Sequence, residues 1–342
     1  MTAERPAFLV TGGTGFLGRH VLASLRRLAP EARVVVLVRD RAAWEAQAWA
    51  AEAGPVEVLE GPLFPTDSWG GDPRLRGVGG IFHLAAVVNH SQEGRDETFR
   101  TNVEGTAAMV RLAARLGARL LFVSTSGVVS CSPRPGEGAL EEGGFREGVV
   151  GRWPYYASKI RAEREARELA GELGVELVVV RPPVLLGPGD HRFRSTSNVL
   201  RVLQKRLPFI LRGGMHFADV RDAADAMVRA MLLPAPRPVY HLVGTVTSLE
   251  GVFRLVAEAA GMAATWRVLP ARLLRMAARV NERLGAPLHV LPDPVLVEMA
   301  GHHWDHRSRF AEEELGYASR EPRETLRDTV EWLREHHPGL QG

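Results

Sequence analysis

The chain is short of three things: cysteine occurs once, at Cys131, lysine only at Lys159 and Lys205, and no apolar run is long. A single thiol excludes an internal disulfide and fits a reducing compartment. No stretch approaches the roughly 18 uninterrupted apolar residues of a membrane-spanning helix, so stable membrane insertion is not expected. Met1 leads through Glu4 and Arg5 straight into the apolar run Ala7 to Val10, without the hydrophobic core or small-residue cleavage site of a leader. Export is therefore not expected and the chain reads as cytoplasmic. An excess of one charge is missing too. Lysine and arginine total 43 against 40 acidic residues, a net charge of +3, too balanced for a nucleic-acid partner.

What is present is ordinary globular composition: 342 residues, 45% hydrophobic and 24% charged, enough for a sizeable core and more than one average domain. Short β-branched, apolar runs recur at Ala7 to Thr11, Val34 to Val38, Val56 to Leu59, Gly80 to Leu84, Leu120 to Ser124, Leu177 to Arg181 and Val239 to Val243, with helical segments between most of them. Continuous apolar strands alternating with helices predict an α/β fold around a doubly wound parallel sheet, buried on both faces. Gly187 to Gly214 is rich in Pro, Gly and Arg, and beyond about Ser248 the chain reads as helices separated by proline-containing turns. The expected division is a nucleotide-binding part over 1–186 and 215–245, with a smaller, mainly helical substrate lobe over 187–214 and 246–342.

The first strand runs into Thr11-Gly12-Gly13-Thr14-Gly15-Phe16-Leu17-Gly18, followed by the helical run Arg19 to Leu28. Glycines at this spacing allow a tight turn and close backbone approach to a pyrophosphate, which free N–H groups and the dipole at the helix start then stabilise. Its position between strand and helix lifts the pattern above a chance glycine-rich turn. The second strand ends Val38-Arg39-Asp40-Arg41, where the residue facing an adenosine ribose is expected. A carboxylate there would accept from a ribose 2′-OH and repel a 2′-phosphate, whereas Arg39 suits a phosphate, so NADP(H) is the expected cofactor. The alternative is that Arg39 is solvated and Asp40 takes the ribose.

Tyr155 and Lys159 are four apart in a helical stretch, hence on one face, and one of the chain's two lysines stands there. An ammonium near a phenol favours the phenolate and is expected to lower the tyrosine pKa toward the working pH, making Tyr155 an acid and base. Tyr156 has Ile160 at the same offset and reads as packing. The fifth strand ends Ser124-Thr125-Ser126 at the sheet edge where open α/β folds bind ligands, so one of these hydroxyls is expected to donate to a carbonyl oxygen gaining charge.

Together these motifs resemble the extended short-chain dehydrogenase/reductase superfamily, the NAD-dependent epimerase/dehydratase family. Thr11 to Gly18 resembles its TGxxGxxG turn, His83-Leu84-Ala85-Ala86 its HLAA segment, Asn102-Val103-Glu104-Gly105-Thr106 its NVxGT helix and Tyr155 to Lys159 its YxxxK. Arg181-Pro182-Pro183 with Gly187-Pro188-Gly189, Phe217 to Asp222, and Glu313 to Tyr317 followed by Thr325 to Leu333 extend the match over nearly the whole chain. The resemblance implies Thr125 as the catalytic hydroxyl beside Tyr155 and Lys159. It also implies a cofactor path over Gly12, Thr14, Gly15, Phe16, Leu17, Gly18, Arg39, Leu84, Ala85, Ala86, Pro182 and Val184, and a homodimer through a helix pair. Val38-Arg39-Asp40 with Gly213 to Phe217 looks closest to bacterial members similar to dihydroflavonol reductases and 3β-hydroxysteroid dehydrogenases, which act on ketones and secondary alcohols.

Two departures stand out. Gly61-Pro62-Leu63 replaces the family's Gly-Asp-Leu, removing an acceptor for the adenine amine, and Ser126-Gly127 stands where nucleotide-sugar dehydratases carry Asp-Glu. The expectation is a small-molecule ketone reduced, or its alcohol oxidised, by hydride transfer. The rival readings are an epimerase that retains NAD and a non-catalytic NADP-binding regulator. His302, His303 and His306 with Asp305 are weighed as metal ligands and set aside, since hydride chemistry needs no metal. Arg272, Arg275, Arg279 and Arg283, opposite Leu273, Leu274, Met276, Val280 and Leu284, read as a solvated helix face whose apolar side covers the substrate cleft.

Overall fold

The structure is a computed structural model and describes residues 5–136, 138–141, 143–269 and 294–340. The arginine stripe from Arg272 to Arg283 and the apolar residues opposite it lie outside these described residues.

Seven strands form one sheet: β1 (Ala7–Thr11), β2 (Arg33–Val38), β3 (Glu57–Glu60), β4 (Val78–His83), β5 (Arg119–Val123), β6 (Leu177–Arg181) and β7 (Val239–His241), in the spatial order β7-β6-β5-β4-β1-β2-β3. Every pairing is parallel, with Leu9 opposite both Val35 and Ile81, and Leu121 opposite Val178. The pleat sends alternate residues to opposite faces. Phe8, Val10, Val36, Phe82 and Leu121 pack with Val21, Leu22 and Leu25 of α1 (Phe16–Leu28) and with Ala223 and Met227 of the helix Val220–Leu232. Leu9, Val35, Leu37, Ile81 and Leu120 pack on the other side with Met109, Val110 and Ala113 of α2 (Gly105–Leu116) and with Ala166 and Ala170 of α3 (Pro154–Leu173). Each such side chain removed from water contributes about 1.5–3 kcal/mol, which is why the inner strands read as mainly apolar runs, whereas the edge strand β3 is apolar only at Val58 and Leu59. The chain reverses its direction of winding between β1 and β4, and the crevice beyond the carboxyl ends of those strands is where this fold holds ligands.

A second core belongs to a smaller layer. Strand Val184–Leu186 runs parallel to Gly214–Asp219, which pairs antiparallel with Thr245–Ser248. Leu186, Met215 and Phe217 meet Val199, Phe253, Val256, Leu326 and Val330 from the helices Ser197–Leu203, Leu249–Ala260 and Pro322–His336. The two layers interleave along the chain, since Phe310, Ala311, Leu315 and Tyr317 return to the core of the main sheet. Short strands join the helices: Arg267–Leu269 pairs with Phe209–Leu211, and His303–Trp304 with Cys131–Ser132. Among the described residues no helix is long and apolar enough to cross a membrane.

Candidate active site

The turn after β1 closes through Gly15 N donating to Gly12 O at 2.9 Å, and α1 begins with no side chain capping its first turn and no acidic residue in it. The N–H groups there are thus left for a ligand. Gly12 has φ +74°, and a Cβ on it would lie 2.7 Å from Ala85 N; one on Gly18 would lie 2.2 Å from Gly12 O. A Cβ on Gly15 would meet only Gly12 O, at 3.2 Å, so glycine keeps the space above the turn open. Gly12 and the run Thr14 to Leu17 stay partly exposed, with Leu84, Ala85 and Ala86 passing beside them, so these residues fit a dinucleotide diphosphate. Gly18→Ala is expected to weaken dinucleotide binding by tenfold or more, about 1.4 kcal/mol, because only a backbone shift relieves the clash; calorimetric titration measures it.

A buried polar chain fixes this rim to the helix behind it. Nδ1 of His83 lies 2.9 Å from Thr11 Oγ1 and its Nε2 3.1 Å from Thr106 Oγ1, while burial holds the ring neutral with a pKa of about 3. Thr106 Oγ1 donates to Asn102 O at 2.6 Å. The Asn102 carboxamide accepts from Val87 N at 2.8 Å and donates to Val87 O at 3.0 Å and Ser158 Oγ at 2.9 Å. Ser158 Oγ in turn donates to Tyr155 O at 2.7 Å. The loop after β4 is thereby tied to the start of α3, and a π-helical turn over Arg100–Glu104 presents Asn102 there. Sequence reading gave Asn102 and Ser158 no role; the signal was polar residues beside otherwise apolar helix faces.

Of the three hydroxyls after β5, Ser124 and Ser126 are buried and Thr125 is partly exposed toward the sheet edge. Ser126 N donates to Pro182 O at 2.9 Å, binding this edge to the chain after β6. Val184 follows, 42% exposed, and Val88 beyond β4 is 52% exposed, two apolar side chains open to solvent beyond the strands that flank β5 on either side. Tyr155 also keeps partial exposure, its ring 5.3 Å from that of His90 and 5.2 Å from that of Tyr156. Tyr156 is buried as packing, its edge filling the space a Cβ on Gly127 would need, 2.1 Å away. Lys159 is buried behind them, its Nζ donating to Val123 O at 2.8 Å and lying 4.7 Å from the Phe122 ring centroid. Thr125, Tyr155 and Lys159 therefore share one wall formed by the end of β5 and the start of α3. Arg39 stands apart at the end of β2, exposed, while Asp40 beside it accepts from Ala43 N at 2.9 Å as the cap of the short helix Arg41–Glu45.

Electrostatics here runs against one expectation. Burial pushes the Tyr155 phenol above its ordinary value, rather than Lys159 pulling it below. Burial also lowers Lys159 to about 7, with Glu163 opposing. The ammonium is engaged with the Val123 carbonyl, and desolvation of the phenol dominates. Glu163 lies one turn further along α3, fully buried and held in its charged form by Arg181 Nη2 at 2.5 Å and Arg167 Nη2 at 2.9 Å.

His302, His303 and His306 are not brought together. His302 Nδ1 lies 2.8 Å from Glu298 O with its ring against Trp153, and His303 sits in the short strand beside Cys131–Ser132. His306 instead joins a buried group with His216 and His241, at ring-centroid distances of 4.0 and 5.2 Å. His241 Nε2 is 3.2 Å from Arg181 Nη1, which leads back to Glu163.

The model of the "NAD dependent epimerase/dehydratase family" matches residues 8–242. A putative dihydroflavonol 4-reductase of Synechocystis sp. is 28% identical, over 98% of this chain and 96% of its own. A 4-hydroxy-2-methyl-3-oxo-4-farnesyl-3,4-dihydroquinoline-1-oxide ketoreductase of Stigmatella aurantiaca is 31% identical over 97% of both. Among solved structures, that of gox2253 superposes with a TM-score of 0.81 at 27% identity, covering 97% of this chain and 98% of that one. With its glycine turn, HLAA segment and Tyr155-to-Lys159 pair on an extended Rossmann fold, the chain belongs to the NAD dependent epimerase/dehydratase family of extended short-chain dehydrogenases/reductases.

Proposed function

We propose that the protein is an NADP(H)-dependent reductase of ketones, working with Thr125, Tyr155 and Lys159. The observation that carries the reading is the wall just described: of the polar groups at the β5 edge, Thr125 and Tyr155 keep exposure, while Lys159 is buried behind them. Bound NADPH supplies a hydride to the substrate carbonyl carbon. Thr125 donates a hydrogen bond to the carbonyl oxygen, and Tyr155 passes it the phenolic proton as negative charge develops. A phenol raised by burial stays protonated through neutral pH, which suits a proton donor. Lys159, anchored on Val123 O, orients the nicotinamide ribose and stabilises the phenolate left after transfer. Val88 and Val184 line the mouth with apolar surface, in keeping with a bulky organic substrate. Arg39 is the reason for preferring NADP(H), because Asp40, the alternative ribose ligand, is spent on a helix cap. The buried thiol Cys131 fits a reducing compartment, and we place the protein in the cytoplasm.

The test is calorimetric titration of the purified protein with NADPH and NADH, with an absorbance scan for retained cofactor. An empty protein preferring NADPH by tenfold or more supports the reading. Retained NAD or a preference for NADH overturns it in favour of an epimerase that cycles its hydride internally.

A further inference from the structure

The segment from Pro188 to Thr196 leaves the second layer and lies back across the start of α1. His20 Nε2 sits 2.8 Å from Pro188 O, and burial keeps that ring neutral with a pKa of about 4, so the contact is an N–H donating to a carbonyl. The ring of His191 lies 5.6 Å from that of Trp49, and Gly189, at φ +95°, is packed on Arg19. The buried Asp190 carboxylate accepts from Thr196 N at 2.9 Å and Oγ1 at 3.0 Å, closing the loop on itself. Phe193 takes φ +52°, uncommon for a side chain of its size, and its ring stands 4.6 Å from that of His337. The segment is a strap pinned at both ends.

Arg192 stands between the pins. Its Nη2 reaches to 3.5 Å from Thr14 Oγ1, in the phosphate-binding turn. The side chain is exposed, yet partial desolvation, then Arg194 and Arg39, hold its guanidinium below its ordinary pKa, with Asp190 opposing. Arginines around this corner are neutralised: Arg19 pairs with Glu52, Arg41 with Glu45 and Arg27 with Asp225. Among the described residues Arg39, Arg192 and Arg194 form no ion pair, although the sheet contributes one and the strap two. Asp190 is committed to Thr196, and like charges gathered without an ion-pair partner are unfavourable unless an anion joins them.

We infer that Arg192 is a second guanidinium for the cofactor's ribose 2′-phosphate, facing Arg39 across it, so that the second layer takes part in choosing NADP(H). This rests on the NADP(H) reading above. The test is calorimetry on the unaltered protein and on Arg192→Gln, each titrated with NADPH, NADH, adenosine 2′-monophosphate and adenosine 5′-monophosphate, with melting temperatures as a fold control. The substitution is expected to weaken NADPH and adenosine 2′-monophosphate about tenfold or more while changing NADH and adenosine 5′-monophosphate less than about twofold. Equal losses for NADPH and NADH would instead assign Arg192 to the diphosphate or to the strap's own structure, and no loss would remove it from the site; either overturns the inference while the NADPH preference of the unaltered protein stands. Absence of that preference in the unaltered protein would sink the underlying reading, and this inference with it.

Discussion

Tyr155→Phe is expected to lower turnover about 10²- to 10⁴-fold while leaving dinucleotide affinity and melting temperature near those of the unaltered protein, because the substitution removes only the proton donor. The ring contacts with His90 and Tyr156 are made by carbon atoms that phenylalanine retains, and the helix start is held by Ser158 and Asn102, which the change does not touch. The phenol, raised by burial, stays protonated across neutral pH, so a fall in the reductive rate as pH rises through about 7 is expected from Lys159, which burial lowers to about 7, and not from Tyr155. Single-turnover oxidation of NADPH, followed by absorbance with a bulky ketone, separates the chemical step from binding. Turnover near that of the unaltered protein would remove Tyr155 from the mechanism.

The second large effect is on stability in acid. His83, His216 and His241 are each lowered by burial to about 3 and His20 to about 4, and burial also holds His306 well below its ordinary value. An unfolded histidine titrates near ~6.5, so as pH falls below that value the unfolded chain binds protons that the native state refuses. The stability these neutral rings contribute is fully present above about 6.5 and is lost progressively toward 3–4, at up to about 1.4 kcal/mol per pH unit for each ring. Five rings acting together remove several kcal/mol by pH 5, on the scale of the roughly 5–15 kcal/mol that holds a domain folded. A steep acid transition between about pH 4.5 and 5.5 is the expected outcome, followed by far-ultraviolet circular dichroism or urea titration at several pH values. Neither ring nitrogen of the buried His306 makes a hydrogen bond of normal geometry, so His306→Phe should fold and shift the acid midpoint downward. An unmoved midpoint would show that the histidine group does not govern the transition.

The inner strands were legible because a strand buried on both faces must be largely apolar, as Val34 to Val38 and Leu177 to Val180 are, and because helical segments alternate with such runs. The glycine turn was legible for a different reason, since contacts at 2.2 and 2.7 Å leave no substitute for glycine at Gly18 and Gly12. Thr125 was set apart from its neighbours by resemblance, and of the three hydroxyl residues it alone keeps partial exposure. What was hidden depends on partners far along the chain. His83 meets Thr11 across 72 positions, and no local pattern records that contact. The pairing of Cys131–Ser132 with His303–Trp304 spans two residues a side, too short for any period, and around it His302 packs on Trp153 while His306 joins His216 and His241. The direction of the Tyr155 shift was missed because a lysine four residues on is visible in a sequence, whereas the loss of water around a phenol is not.

Gly127 carries a consequence for how the family's chemistries diverge. Ser126-Gly127 stands where nucleotide-sugar dehydratases carry Asp-Glu, and the second of these positions lies under the edge of Tyr156, with 2.1 Å left for even a first carbon. Any side chain introduced there must first evict that ring, which itself stacks on Trp304 at 5.4 Å and anchors the return of the distal chain. A carboxylate side chain at position 127 is therefore not open to a single substitution. It requires that the aromatic plug first be traded for something smaller, so the position stays closed for as long as tyrosine stands at 156.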